Sequence, residues 1–235
     1  MLLEVLIFSF FAGITVFIGG LSSAYFEEHL HNKILKEKII HFLVAFGTGI
    51  MLAAVSFVLI PKGMHNVSLF TSVFVFLLGA ITFYYLDAFI EKNSAKIPQV
   101  LAMLLDFIPE SIALGALFVY DHKVGILLAL FIALQNLPES FNSYLELRKS
   151  NLSKKKSLVI LFALSFIGVI FSSLGYMFLD DKIEITSCLM LFASGGILYL
   201  IFQDIAPSLR LKSSRYIAIG VNLGFIIGMM GEALL

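Results

Sequence analysis

Asp106, Glu110 and Glu139 each stand inside an apolar run long enough to cross a lipid bilayer, and no lysine or arginine lies at their depth. An ionised carboxylate at the centre of a membrane helix costs roughly 2.5–3.5 kcal/mol to insert. Three such groups must be protonated, face water or hold a cation. Asp106 and Glu110 are four residues apart, one turn from each other on one helix face. Gln135 and Glu139 repeat that spacing in the next run. The segments Asp106-Phe107-Ile108-Pro109-Glu110-Ser111 and Gln135-Asn136-Leu137-Pro138-Glu139-Ser140 align at a constant offset of 29. Each proline removes a backbone hydrogen bond, frees the carbonyl of Leu105 or Leu134, and is expected to bend its helix. A bend lined by carboxylates makes a plausible cavity, and its oxygen atoms are the hard ligands a divalent cation prefers. A single mid-membrane glutamate could be a protonated structural residue. A duplicated acid–proline pattern with a third acid one turn away points to function.

The elements that must position these groups follow from composition. Of 235 residues, 60% are apolar and only 14% charged, and the mean hydropathy is +0.99. Soluble domains carry about a quarter charged residues, so this composition predicts an integral membrane protein. The 16 basic and 16 acidic residues cancel, which removes any case for nucleic-acid binding by bulk charge. Cys188 is the only cysteine, so neither a disulfide framework nor a thiolate cluster is available. Eight apolar runs of helical length lie at about 2–25, 39–60, 67–90, 98–119, 124–146, 157–179, 185–206 and 216–235. They consume the chain and predict one eight-span domain over residues 1–235. The first run lacks the basic flank of a signal peptide and is read as span 1.

Thirteen of the sixteen basic residues fall in the loops after spans 1, 3, 5 and 7, among them Lys33, Lys96, Lys154, Lys155, Lys156, Arg210 and Lys212. The positive-inside rule then places those loops in the cytoplasm and both termini outside. Spans 4 and 5, joined by a short loop, are antiparallel neighbours, so the two motifs can meet near the bilayer midplane. A second internal match runs from Phe46-Gly47-Thr48-Gly49 to Pro61 in span 2 and from Phe192-Ala193-Ser194-Gly195 to Pro207 in span 7. An even and an odd span cross in opposite directions. The match therefore predicts an all-α fold with an inverted repeat around a central kinked helix pair, a common transporter architecture.

These residues resemble the ZIP (Zrt/Irt-like protein) family of divalent metal transporters, whose spans 4 and 5 carry a doubled Pro-Glu motif. The likeness extends to Leu59-Ile60-Pro61 of span 2, the run from Phe76 to Asp87 in span 3, and span 7 up to Asp204. It implies eight spans with both termini outside, a cell-membrane location and a central metal site built from Asp106, Glu110, Gln135 and Glu139. A second site in many members uses the positions of Phe107 and Asn136. Phenylalanine cannot ligate, so that site is weakened and Asn136 is left as an accessory ligand. The family's leading histidine is Asp106 here, a harder ligand set that leans from zinc toward manganese or iron(II). The metal is cargo, and no cofactor is expected.

His29, His31 and His41 flank the first cytoplasmic loop, while His65 and His122 lie near the outer face; solvated side chains or metal handling would both suit them. Asp87 and Asp204 near span ends could be access carboxylates or solvated helix ends. Gly13, Gly19, Gly20, Gly224, Gly228 and Gly231 suit close helix packing, within one protomer or across a homodimer. Three alternatives remain open from sequence: a proton-coupled carrier of another solute, a transport-inactive metal-binding paralogue, and an intramembrane hydrolase. The last is disfavoured, because no Ser/His pair lies at membrane depth and no His-Glu-x-x-His occurs. The chain is therefore read as a transporter rather than an enzyme.

Overall fold

A computed structural model describes residues 1–93, 98–179, 182–209 and 215–234. Lys96, Arg210 and Lys212 lie outside the described residues, and so do the side chains of Lys33 and Asp204. The described elements are all helical: α1 Leu2–His29, α2 Lys33–Ala53, a π-helical segment Ala54–Leu59, α3 Ile60–His65, α4 Leu69–Asn93, α5 Pro98–Tyr120, α6 His122–Lys149, α7 Lys154–Leu164, α8 Ile167–Phe178, α9 Ile183–Leu200, a second π-helical segment Ile201–Ile205, α10 Ala206–Ser208 and α11 Arg215–Ala233.

Among the described residues, eight helical stretches are long and apolar enough to cross a membrane. They match the eight expected spans, with ends that differ by up to five residues. Span 2 runs from Ile34 to His65 rather than from 39 to 60. Asn32 caps its start by accepting the Leu35 N–H at 3.1 Å, so the helix begins in the polar loop. Span 6 is broken at Ser165 and Phe166 between α7 and α8.

Four helix pairs do most of the packing: α1 with α6, α2 with α11, α4 with α9, and α5 with α8. Glycine makes each approach close. A methyl at Gly49 of α2 would strike the Val221 carbonyl of α11, and one at Gly224 would strike the Phe46 carbonyl of α2. The α4–α9 pair repeats this, with Gly79 against the Phe192 carbonyl and Gly195 against the Phe76 carbonyl. Apolar surface gives helices no reason to leave lipid for one another, so this backbone-level fit and its dispersion energy hold the pairs together.

Irregular backbone lies in spans 2 and 7. The N–H of Ile60 reaches the carbonyl of Val55, and that of Ala206 reaches Ile201, each one residue farther back than in an α-helix. The widened turns sit just before Pro61 and Pro207, where the proline ring crowds a regular helix. α5 and α6, by contrast, run as unbroken α-helices through Pro109 and Pro138. The Pro138 ring is accommodated by Gly47 of α2, where an added methyl would collide with it.

Candidate metal centre

α5 and α6 form the central hairpin, turned by the single residue Asp121. Its side chain caps α6 by accepting the Val124 N–H at 3.3 Å and accepts a 2.8 Å hydrogen bond from Lys62 beyond Pro61. Burial pushes the Asp121 carboxyl up, but the bonds from Lys62 and Val124 and the charges of Lys62 and Lys123 outweigh it. The group is held below the usual carboxylate range. The hairpin is thus tied to span 2 at the Asp121 end.

Within the hairpin the two motifs face each other. Gln135 Nε2 donates to Glu110 Oε2 at 2.5 Å, a direct link between α5 and α6. Asp106, Glu110 and Glu139 are 3%, 0% and 9% exposed. Asp106 lies within electrostatic reach of Glu110, and Glu139 within reach of both. Ion pairs among the described residues are confined to helix ends, such as Lys62 with Asp121 and Arg148 with Glu27. No cationic side chain among the described residues neutralises the three carboxylates.

Unpaired polar atoms concentrate here. Eleven buried side-chain oxygens among the described residues have no hydrogen-bond partner, and seven belong to the two motifs: Asp106 Oδ1, Glu110 Oε1, Ser111 Oγ, Gln135 Oε1, Asn136 Oδ1 and both carboxylate oxygens of Glu139. An orphaned buried polar atom costs about 1–3 kcal/mol, so such a cluster is where water, a proton or a cation is taken up at a gain.

The five expected ligands are not equivalent. The hairpin brings Gln135 onto Glu110, while Asp106 and Glu139 are buried on the same two helices without joining them in a common cradle. Asn136 instead turns to α1, donating from Nδ2 to the Ala12 carbonyl at 3.1 Å, and only its Oδ1 is left to ligate. Phe107 is buried against Gly168 of α8. Among the described residues, no three His, Cys, Asp or Glu side chains are gathered closely enough to hold a metal as they stand. The Glu110–Gln135 bond occupies one of the oxygens a metal would take.

Two features around the hairpin carry no sequence signature. One is the Lys62–Asp121 tie, which joins residues 59 apart in sequence. The other is a small cavity of about 100 Å³ lined by His41, Val44 and Asn142, with Asn142 one helical turn from Glu139. The Nδ1 of His41 is engaged with the Glu37 carbonyl at 2.8 Å. The other histidines sit apart from the centre. His29 stacks on Tyr25, and His122 lies 3.5 Å from Glu4.

No protein-family model matches the chain, and no curated protein matches it at a significant level.

Proposed function

We propose that the chain carries divalent transition-metal cations across the membrane through one site made by Asp106, Glu110, Gln135 and Glu139. The observation that carries this reading is the cluster of orphaned oxygens on two facing helices, with no cation of the protein's own beside it. A passing dication supplies the missing charge and takes up the unpaired oxygens. Its binding has to displace the Gln135 amide from Glu110 and draw the three carboxylates together.

The route is read as running between the Lys62–Asp121 end and the cavity of His41 and Asn142, with the termini outside, the Lys154 end in the cytoplasm and the cell membrane as the location. Spans 2 and 7 form an inverted pair in this reading. Their π segments, their prolines and the glycine contacts of the α2–α11 and α4–α9 pairs occupy matching positions, which supports the repeat. The harder ligand set favours manganese or iron(II) over zinc, all three remaining within the substrate class. The likeness of the motifs to the ZIP family supports the same conclusion.

The separation of the carboxylates favours one competitor, a proton-coupled carrier in which the same groups relay protons. Uptake by protein reconstituted in liposomes separates the two. Flux of Mn²⁺, Fe²⁺ or Zn²⁺ that is lost in the variant Glu110→Gln/Glu139→Gln supports metal transport. Proton flux without metal flux would replace it with the relay.

A further inference from the structure

We propose that the groove between α1 and α7 is a binding site for a phospholipid with an anionic headgroup. The groove has a volume of about 460 Å³ and is lined by Phe17, Lys154, Lys155, Leu158, Val159 and Phe162. Its two ends differ in chemistry. Lys154 and Lys155 stand at the mouth, in the first turn of α7, whose free N–H groups add to the positive field. Phe17 and Phe162 close the far end, edge to face with ring centroids 5.2 Å apart.

The dimensions fit a lipid rather than a soluble anion. Phe162 lies eight residues along the helix from Lys154, about 12 Å deeper, against a hydrocarbon half-thickness of about 15 Å. Val159 is 57% exposed and Phe162 46%, so the floor is open to the bilayer interior. An acyl chain laid along Leu158, Val159 and Phe162 covers that floor while its phosphate stays beside the lysines.

Charge selects the headgroup. Lys154 is bridged to Glu28 at 2.6 Å, which neutralises one lysine and fixes the rim of the groove. Lys155 has no ion-pair partner among the described residues. The mouth therefore keeps an unspent cation next to an apolar slot. A zwitterionic headgroup would bring its own cation into that field. An anionic one brings only the charge the site lacks.

The test is lipid retention by the purified full-length chain, incubated with an equimolar mixture of phosphatidylglycerol and phosphatidylcholine and read by native mass spectrometry. Phosphatidylglycerol should be retained preferentially. Lys154→Gln/Lys155→Gln should lower its retention roughly fivefold, the size expected for losing the one basic residue that Glu28 does not neutralise. Val159→Trp, which fills the slot and leaves both lysines, should lower retention of either lipid. Lys38→Gln/Lys92→Gln removes the same charge elsewhere on the exposed helix ends and should leave retention unchanged. Equal retention of the two lipids by the wild-type chain overturns the site. So does an equal loss in the Lys38/Lys92 control, or undiminished retention in Val159→Trp.

Discussion

Replacing Glu139 by glutamine should stabilise the metal-free protein. Both carboxylate oxygens of Glu139 are buried without a hydrogen bond, and the charges of Asp106 and Glu110 lie within reach. An ionised carboxylate at this depth costs roughly 3 kcal/mol. A buried amide lacking partners costs about 2 kcal/mol. The exchange therefore gains about 1 kcal/mol at a pH where Glu139 is ionised, or about 2–4 °C in Tm for a chain of this size, and close to nothing where it is protonated. Manganese or zinc at a hundred times its Kd should add about 2.7 kcal/mol to the wild type alone, because only its folded state binds. The order of the two proteins then reverses. The assay is thermal unfolding of detergent-solubilised protein, with chelator and then with metal. A variant less stable than the wild type in chelator, together with a wild type that metal does not shift, would refute the reasoning.

Three further outcomes are expected. The Asp121 carboxyl is held low in the folded protein, so its stabilisation is complete above the unfolded value of about 3.9 and is lost as the pH falls through the folded value. Asp121→Asn should flatten acid unfolding below about pH 4 while costing under about 1 kcal/mol at pH 7, since the Lys62–Asp121 pair is part-exposed. Gly79→Val should abolish monodisperse purification, because the added side chain meets the Phe192 backbone; Gly220→Ala, whose nearest neighbour is the Phe42 carbonyl at 3.1 Å, should purify normally. Asn142→Ala and His41→Ala should each lower metal flux several-fold with no change in metal-free Tm, measured by liposome uptake and thermal unfolding, if their cavity is the inner way to Glu139.

The spans were legible in the sequence because lipid imposes a length and a polarity that composition reports directly. The central hairpin was legible too, since acids without basic partners stand out against apolar runs. Backbone irregularity was legible only in part. A bend is expected at Pro109 and Pro138, where α5 and α6 keep their helical form, while π segments precede Pro61 and Pro207, where no irregularity was expected. A sequence cannot show that Gly47 makes room for the Pro138 ring. The break in span 6 falls at Ser165 and Phe166, which carry neither glycine nor proline to announce it. The Asn136 side chain reads as a ligand, and the bond of its Nδ2 to the Ala12 carbonyl, 124 residues away, is not legible in the sequence. The Lys62–Asp121 tie is equally non-local. Each miss is a contact set by packing between distant segments.

The most direct measurement is X-ray absorption spectroscopy on the purified chain loaded with manganese or zinc, together with the bound stoichiometry. One dication per chain with a first shell of oxygen alone, lost in Glu110→Gln/Glu139→Gln, is the result predicted. A chain that binds no metal, a shell containing the Cys188 sulfur, or binding unchanged in the double variant would contradict a carboxylate cradle in the central hairpin.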